Sequence, residues 1–363
     1  MARPEVLIVG AGATGLAAAV ELARRGVAIR IVDRDPGPTP RSKAVGVSSH
    51  TLELLELSGV AARLLARGLR IRRVRVHDGD EPLGAIDFKG LPHRFNFLLS
   101  LPQSETEAIL AERLGEHGVE VEWRRRLASL EQNDDGVIAE LTGPGGDRHV
   151  VTADRVLGAD GADSTVREQS GFRFEGYVHR REWSIADIEV DAWPYDPTEA
   201  QAFFGEDGDL AFVIPIGQGR HRAVSNTPSA LAHIPGDFAL RRTERTDRFH
   251  LPIRLADSFQ RGRVFLAGDA AHVHSPLGAR GMNLGIEDAV CFAGRFADGR
   301  LDGYSAERRP IGRRWIRFSE RLLRAAESRN GAAVFARNLA IRVVGHAPWM
   351  QRPILQRVAG LVE

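Results

Sequence analysis

The stretch Val6 to Ala19, VLIVGAGATGLAAA, constrains this chain more than any other. Four apolar residues run into Gly10, and glycines recur as Gly10-x-Gly12-x-x-Gly15 before an alanine-rich run. An apolar run that passes through glycines into a 3.6-residue period is a buried strand turning into a helix. Each glycine has its own reason. Gly10 permits the tight turn, Gly12 lets backbone approach a pyrophosphate, and Gly15 allows close packing of helix on strand. The helix closes at Gly26, and AIRIVDRD follows as a second strand. This βαβ unit calls for a parallel sheet. Asp33 ends the second strand, 18 residues after Gly15, where a carboxylate accepts hydrogen bonds from a ribose 2′-OH. It disfavours a 2′-phosphate, so the ligand is an ADP moiety, as in FAD or NAD. Arg34 beside it joins the cofactor-binding set.

A second glycine turn lies about 250 residues further on, in VFLAGDAAHVHSPLGARGMNLGIEDA from Val264 to Ala289. Again an apolar strand ends in glycine. Asp269 follows Gly268 directly, so its carboxylate stands at the carboxyl end of a strand, where open α/β sheets bind ligands. The turn does not repeat the first fingerprint. It continues as a glycine-rich loop feeding a helix, whose free N–H groups would face an electron-rich group. Two such turns mean either two ligands or one ligand held at both ends.

Between the turns the chain changes character. SETEAILAERLGEHG reads as a helix opened by a capping box of Ser104 and Glu107. Residues 119–157 read as hairpin strands, and residues 172–255 as strands with many turns and no helical period. The expected fold is α/β: a Rossmann-like FAD-binding domain with an inserted antiparallel-sheet substrate domain and C-terminal helices. The nucleotide-binding domain takes residues 1–75, 100–170 and 256–303, the substrate domain 76–99 and 171–255, and the helical region 304–363.

Composition narrows the partners. The net charge of +1 gives no electrostatic case for nucleic acid. The single cysteine, Cys291, excludes an internal disulfide and a cysteine-based metal site and suits a reducing cytosol. No apolar run approaches membrane-spanning length, and no signal peptide precedes the first strand, so the expected location is cytoplasmic, without a membrane.

Six ordered segments together resemble one family, the single-component flavin-dependent aromatic hydroxylases of the p-hydroxybenzoate hydroxylase type. They are GAGATG with Asp33, RSKAVGVSSHTLELLELSG from Arg41, LPQSETEAIL from Leu101, VLGADGADSTVR from Val156, the Gly268-Asp269 stretch, and YSAERRP from Tyr304. The resemblance implies FAD as cofactor, NADPH or NADH and O2 as co-substrates, and a small aromatic substrate. It implies hydroxylation of a phenolic or other electron-rich ring through a flavin C4a-hydroperoxide. It implies that the first turn holds the ADP half of FAD and that Asp269 binds the ribityl chain. Leu277, Gly278, Gly281, Met282 and Asn283 then bring backbone to the pyrimidine end of the ring, and Pro276 lies beside it. Arg41 and Gln103 match positions that contact FAD. Asp160 matches an acid implicated in FAD and nicotinamide binding. His272 is the catalytic candidate beside Pro276, as a base for a phenol, against the plainer reading that it and His274 pack within the loop. No metal is expected, because no third ligand has suitable spacing. The chain is a monomer or a homodimer.

Three features depart from the family pattern. Gly278-Ala279-Arg280-Gly281 stands where the family reads Gly-Gly-Gln-Gly, Asp163 stands where it often has a basic residue, and the helix after the loop is short. Ala279 loses backbone freedom. Arg280 either sets a cation near the flavin, raising its potential, or points to solvent. Epoxidation or another reaction on the same scaffold, and flavin binding without turnover, are the alternative functions. A halogenase is disfavoured, because no Trp-rich GWxWxIP stretch occurs.

Overall fold

The computed structural model describes residues 3–39, 43–234 and 236–362. Its helices are α1 (Ala13–Ala23), α2 (Ser49–Leu54), α3 (Val60–Arg67), α4 (Gln103–Gly115), α5 (Thr165–Gln169), α6 (Gly281–Ala297), α7 (Tyr304–Ala326), α8 (Gly331–His346) and α9 (Pro348–Val358). The βαβ reading of the N-terminus holds. Strands Val6–Val9, Ile29–Val32 and Arg155–Gly158 pair in parallel, with Val6 opposite both Ile29 and Arg155. Val264–Leu266 adds in parallel to Arg155–Gly158, and Val121–Glu122 to Ile29–Val32. Gln260–Arg261 closes the far edge antiparallel. Helices on its faces bury this sheet, so Val6, Leu7 and Ile8 have no exposure and the strands read as unbroken apolar runs.

The second large sheet is built from eight strands, in the order His272–Val273, Ala239–Ala256, Phe174–Ala192, Arg220–Ser225, Leu210–Gly217, Ala200–Phe204, Arg73–Asp78, Glu81–Asp87. It is mostly antiparallel, as the turn-rich sequence between residues 172 and 255 suggests. One pairing departs: Ala200–Phe204 runs parallel to Arg73–Asp78. Smaller sheets are the hairpins Arg126–Gln132, Val137–Thr142 and Arg148–Ala153, and the trio Gly46–Val47, Leu98–Ser100 and Leu69–Ile71.

Two local expectations fail. VEVEWRRRLASLEQ does not run as one strand. Arg124 takes φ +58°, and the chain breaks there between the parallel sheet and the hairpin. The Ser104–Glu107 capping box does not form either. α4 begins at Gln103 with Pro102 as N-cap, so Ser104 lies inside the helix. Glu107 instead reaches across to α1, where its Oε1 accepts the Ala13 N–H at 3.1 Å. A helix N-terminus with no side-chain cap of its own is the stronger claimant for that carboxylate.

Candidate active site

The first glycine turn is as close-packed as its spacing requires. Gly10 has φ +104°, and an added Cβ would overlap the Ala159 carbonyl just past the neighbouring strand. A Cβ on Gly15 would overlap the Gly10 carbonyl. At Gly12 the surroundings are open, the nearest atom to an added Cβ being Glu107 Oε1 at 3.7 Å. That is the concavity a pyrophosphate needs at the positive end of α1. Asp33 Oδ2 accepts the Ala11 N–H at 2.6 Å, and Oδ1 accepts the Asp35 N–H at 2.8 Å. A carboxylate has about four acceptor sites, so capacity remains for ribose hydroxyls. Arg34 is exposed beside it. Arg41 lies outside the described residues.

The second turn packs directly on the first. Gly268 has φ +61°, and a Cβ there would come within 2.5 Å of Thr14 Oγ1; one on Gly285 of α6 would overlap the same hydroxyl. Thr14 thus sits in a slot that two glycines leave open, and α1 and α6 start from one place. Asp269 is open to solvent although protein surrounds it, the situation of a group at the bottom of a cleft. That crowding pushes its pKa up, with His272 and Lys43 pulling the other way. Its carboxylate has no hydrogen-bond partner among the described residues.

Residues 43–48 form a strap over this cleft. Gln103 Oε1 accepts the Ala44 N–H at 3.4 Å, and the Gln103 amide donates to Glu107 Oε1 at 2.7 Å. Arg222, buried and bidentate on Asp187 at 2.6 and 2.7 Å, donates to the carbonyls of Lys43 and Ala44, each at 3.2 Å. The Asn283 amide accepts from Ser48 N–H at 2.8 Å and donates to the Gly46 and Ala279 carbonyls at 2.9 and 2.7 Å. Asn283 therefore fixes the strap to the glycine-rich loop, while the backbone N–H groups of Gly281, Met282 and Asn283 open α6 without intrahelical acceptors. Gly278 has a further duty: a Cβ would come within 2.9 Å of the Trp315 ring on α7. Pro276 is half-buried in the same loop, and its carbonyl accepts the Ala279 N–H at 3.0 Å.

Asp160 turns inward. It accepts from Ser164 Oγ at 2.5 Å and Val166 N–H at 3.1 Å, which starts α5, and burial pushes its pKa up. The neighbouring Arg167, not singled out from sequence, is buried over the Phe174 ring and donates to the carbonyls of Ala162 and Ala270 at 2.8 and 3.1 Å. It ties the Asp160 loop to the Asp269 loop.

The solvent reading of Arg280 fails. Its guanidinium is enclosed by protein. It is buried, donating to Glu287 at 3.0 Å and Ser48 Oγ at 3.2 Å. Glu287 also meets Arg308 at 3.5 Å, and Arg308 donates to Asp288 at 2.6 Å. Asp288 completes the network by accepting from Gly268 N–H at 3.0 Å and pairing with His272 Nε2 at 2.7 Å. Burial alone would raise the Asp288 pKa, but Arg308 and His272 outweigh it and hold it low. His272 is walled in by this acid, by the Phe259 ring at 5.6 Å and by Gly312 of α7. That geometry argues against a base that reaches substrate. His274 is buried too, with Nδ1 on its neighbour's Ser275 carbonyl at 2.8 Å, and burial pushes its pKa down to about 3. A ring so poor in proton affinity does not collect a proton near neutrality. Ala279 carries the cost anticipated for it, with φ +52°.

Behind the loop one side of the large sheet forms an apolar core. Trp183, Ile185, Val224 and Leu251 pack with Leu277 of the loop and Leu323 of α7, with Phe212 and Phe249 beside them. Phe203 sits on the opposite face, and Tyr177 is exposed, donating to Glu320 at 2.7 Å. Three buried nitrogens in this region, Trp183 Nε1, His274 Nε2 and Trp315 Nε1, have no partner among the described residues. Arg220 pairs with Glu244 at the surface. Among the described residues, no group of three His, Cys, Asp or Glu side chains is placed to hold a metal ion, and no helix is long and apolar enough to cross a membrane.

The residues present suit FAD: an open cradle at Gly12, a ribose acceptor at Asp33, a carboxylate at Asp269 without a hydrogen-bond partner among the described residues, and free N–H groups at α6. The likenesses to known proteins agree. Residues 3–232 and 225–319 match the FAD binding domain family. The chain is 34% identical to the 6-methylpretetramide 4-monooxygenase of Streptomyces rimosus, over 98% of this chain and 68% of that protein. The chain spans about two thirds of the length of the curated relatives it matches. Its fold superposes on p-nitrophenol 4-monooxygenase PnpA from Pseudomonas putida DLL-E4 with TM-score 0.86 at 24% identity, covering 98% and 97% of the two chains. On OxyS anhydrotetracycline hydroxylase from Streptomyces rimosus the TM-score is 0.83 at 30% identity, covering 100% and 77%. With the glycine cradle, the cleft-floor carboxylate and the family match in agreement, the chain belongs to the FAD-binding family of flavin-dependent aromatic monooxygenases.

Proposed function

We propose that this chain binds one FAD along the cleft and uses NAD(P)H and O2 to hydroxylate a phenolic or other electron-rich aromatic substrate. The observation that carries the reading is the junction of the two turns. Thr14 wedges between Gly268 and Gly285, so the α1 cradle and the Asp269–α6 loop start side by side, which supports reading them as the two ends of one trough. One extended dinucleotide suits such a trough better than two separate ligands.

When bound, FAD would supply the electron transfer and oxygen activation. The chain's own residues do the rest. Asp33 holds the ADP ribose and Asp269 the ribityl chain. The opening N–H groups of α6 stabilise negative charge at the pyrimidine end of the ring. Pro276 and Leu277 would lie beside the ring, with Leu277 packed into the apolar core of the large sheet at Trp183, Ile185 and Val224. The large sheet built on that core would position the aromatic substrate and exclude water from a reactive oxygen species. In this reading the large sheet is the substrate domain and the parallel sheet the FAD domain, working in a reducing cytosol. His272 and the Arg280 network act at one remove, fixing the loop from behind.

The test is oxygen transfer. FAD-loaded protein is given NAD(P)H, isotopically labelled dioxygen and a panel from p-nitrophenol and chlorophenols to anhydrotetracycline. The expected product carries one labelled oxygen atom, and its substrate accelerates NAD(P)H oxidation. Oxidation that yields only hydrogen peroxide with every ring, or oxygen taken from water, would sink the proposal.

A further inference from the structure

The acid that forms no local capping box ends beside the Gly12 cradle instead. Glu107 is only 4% exposed. Its Oε1 accepts the Ala13 N–H at 3.1 Å and the Gln103 amide N–H at 2.7 Å, and it lies 3.7 Å from where a Cβ on Gly12 would stand. Its Oε2 has no hydrogen-bond partner among the described residues. Gly12 is where backbone approaches a pyrophosphate. A carboxylate there competes with the phosphates for the positive end of α1, and burial removes the water that would screen the two from each other.

Such a clash is relieved by a cation or by a proton. Among the described residues no cation pairs with Glu107. On its own helix, Glu105 and Glu112 face Arg67 of α3, at 3.9 and 3.1 Å. Glu21 of α1 is held by Arg24 and Arg25. On the strap, Lys43 stands over the Phe249 ring at 4.6 Å. At the end of the second strand Asp33 is a second negative charge, and Arg34 beside it is exposed. Asp160 is turned to Ser164. Arg41 lies outside the described residues. Burial pushes the Glu107 pKa up, the bonds from Gln103 and Ala13 oppose this, and Asp33 adds to it. The carboxyl is therefore already inclined toward its neutral form before any phosphate arrives.

We propose that Glu107 takes up one proton from solvent when the dinucleotide binds, and that its neutral carboxyl then donates from Oε2 to a phosphate oxygen. Oε1 keeps the Ala13 and Gln103 hydrogen bonds, one O–H bond forms at Oε2, and one proton leaves the buffer. A protonated carboxyl offers this combination of one donor and spare acceptor capacity, and a hydrogen bond to an anionic oxygen is of the strong kind. A single negative charge about 6 Å from a carboxyl, at an effective dielectric of ~20, shifts its proton equilibrium by roughly 100-fold. Linkage is reciprocal, so a proton that FAD helps to bind also helps to bind FAD. Glu107 has this role only if the cleft holds FAD, as proposed above.

The experiment is calorimetric titration of the flavin-free full chain with FAD in PIPES and in Tris, whose heats of ionisation differ. FAD has no group that titrates near neutrality, so a buffer-dependent heat reports protons exchanged by the protein. The wild-type heats should show uptake of up to one proton per FAD. Its Kd should rise with pH, by up to about tenfold per unit, between the values at which the free and the occupied carboxyl ionise. Glu107→Gln keeps the acceptor at Oε1 and places a permanent N–H donor at the other position. It should bind FAD with equal heats in both buffers and a flat pH profile, roughly tenfold or more tighter than wild type at about pH 8.5 and equally at about pH 5.5. The wild-type heats test the uptake even without the variant. Equal wild-type heats in the two buffers, uptake that persists in Glu107→Gln, or binding by that variant roughly tenfold weaker at every pH would overturn the assignment of Glu107 while leaving FAD in the cleft. A chain that binds no FAD would remove both the assignment and the FAD reading.

Discussion

Arg280→Gln separates two roles for the residue that most distinguishes the flavin loop. In the structure its guanidinium is held by Glu287 and Ser48. Breaking a buried pair by removing one partner costs about 3–5 kcal/mol. Glu287 retains Arg308 at 3.5 Å, so a smaller loss of about 2–3 kcal/mol is expected, at or just below the low end of that range. With about 2 cal/mol/K of unfolding entropy per residue, a chain of this size should melt about 3–4 °C lower. Had the cation faced the flavin, the outcome would differ. At ~6 Å and an effective dielectric of ~20 it would stabilise a reduced anion by about 3 kcal/mol. Its removal would then lower a two-electron potential by about 60 mV. Both quantities are measurable on the FAD-loaded protein, by thermal melting and by spectroelectrochemical titration. The expected result is a lower melting temperature with a potential unmoved by more than ~10 mV, well under that alternative. Arg280→Gln/Glu287→Gln should regain much of the lost stability, because Arg308 keeps Asp288. A potential that falls by tens of millivolts with an unchanged melt would refute the assignment.

Other consequences follow from the same geometry. Ala279→Gly should leave stability level or raise it by up to ~1 kcal/mol, since relief of φ +52° offsets the added chain entropy; a loss above that in urea unfolding would show the strain to be misread. Asp33→Asn should weaken FAD binding about 10–100-fold, the worth of charge-assisted hydrogen bonds at 1.5–3 kcal/mol, and unchanged binding by fluorescence titration would remove Asp33 from the site. Gly285→Ala drives a methyl into Thr14 and should cost about 1–3 kcal/mol as overpacking, with Thr14→Ser unable to rescue and Thr14→Gly able to. For acid stability, burial pushes His274 and His221 down to about 3 and about 4. Both are neutral in the fold, while the unfolded chain binds their protons below about 6.5. Their contribution is therefore present above pH 6.5 and lost as pH falls toward 4, amounting to about 2–3 kcal/mol by pH 5.5. A urea midpoint flat between pH 7 and 5.5 would contradict that.

Much of the site was legible because backbone geometry demands it locally. Gly10, Gly12 and Gly15 are spaced by a turn only glycine can make, and Asp33 and Asp269 stand at strand ends where the sheet itself places ligands. What escaped the sequence was long-range pairing of side chains. Glu107 sits at perfect spacing for a local capping box, yet a helix end 94 residues away in the chain takes its carboxylate. Arg280 and His272 sit beside the flavin loop in sequence but spend their polar atoms on Glu287 and Asp288, further along α6. Arg167 gave no local signal at all; it and Arg222 each act by holding carbonyls of a distant loop.

The central claim is that the two glycine turns grip one FAD. Calorimetric titration of the flavin-free protein with FAD tests it most directly. The account predicts one FAD per chain in a single transition that both Asp33→Asn and Asp269→Asn weaken. Two binding events, or variants at the two turns that weaken different ligands, would contradict it.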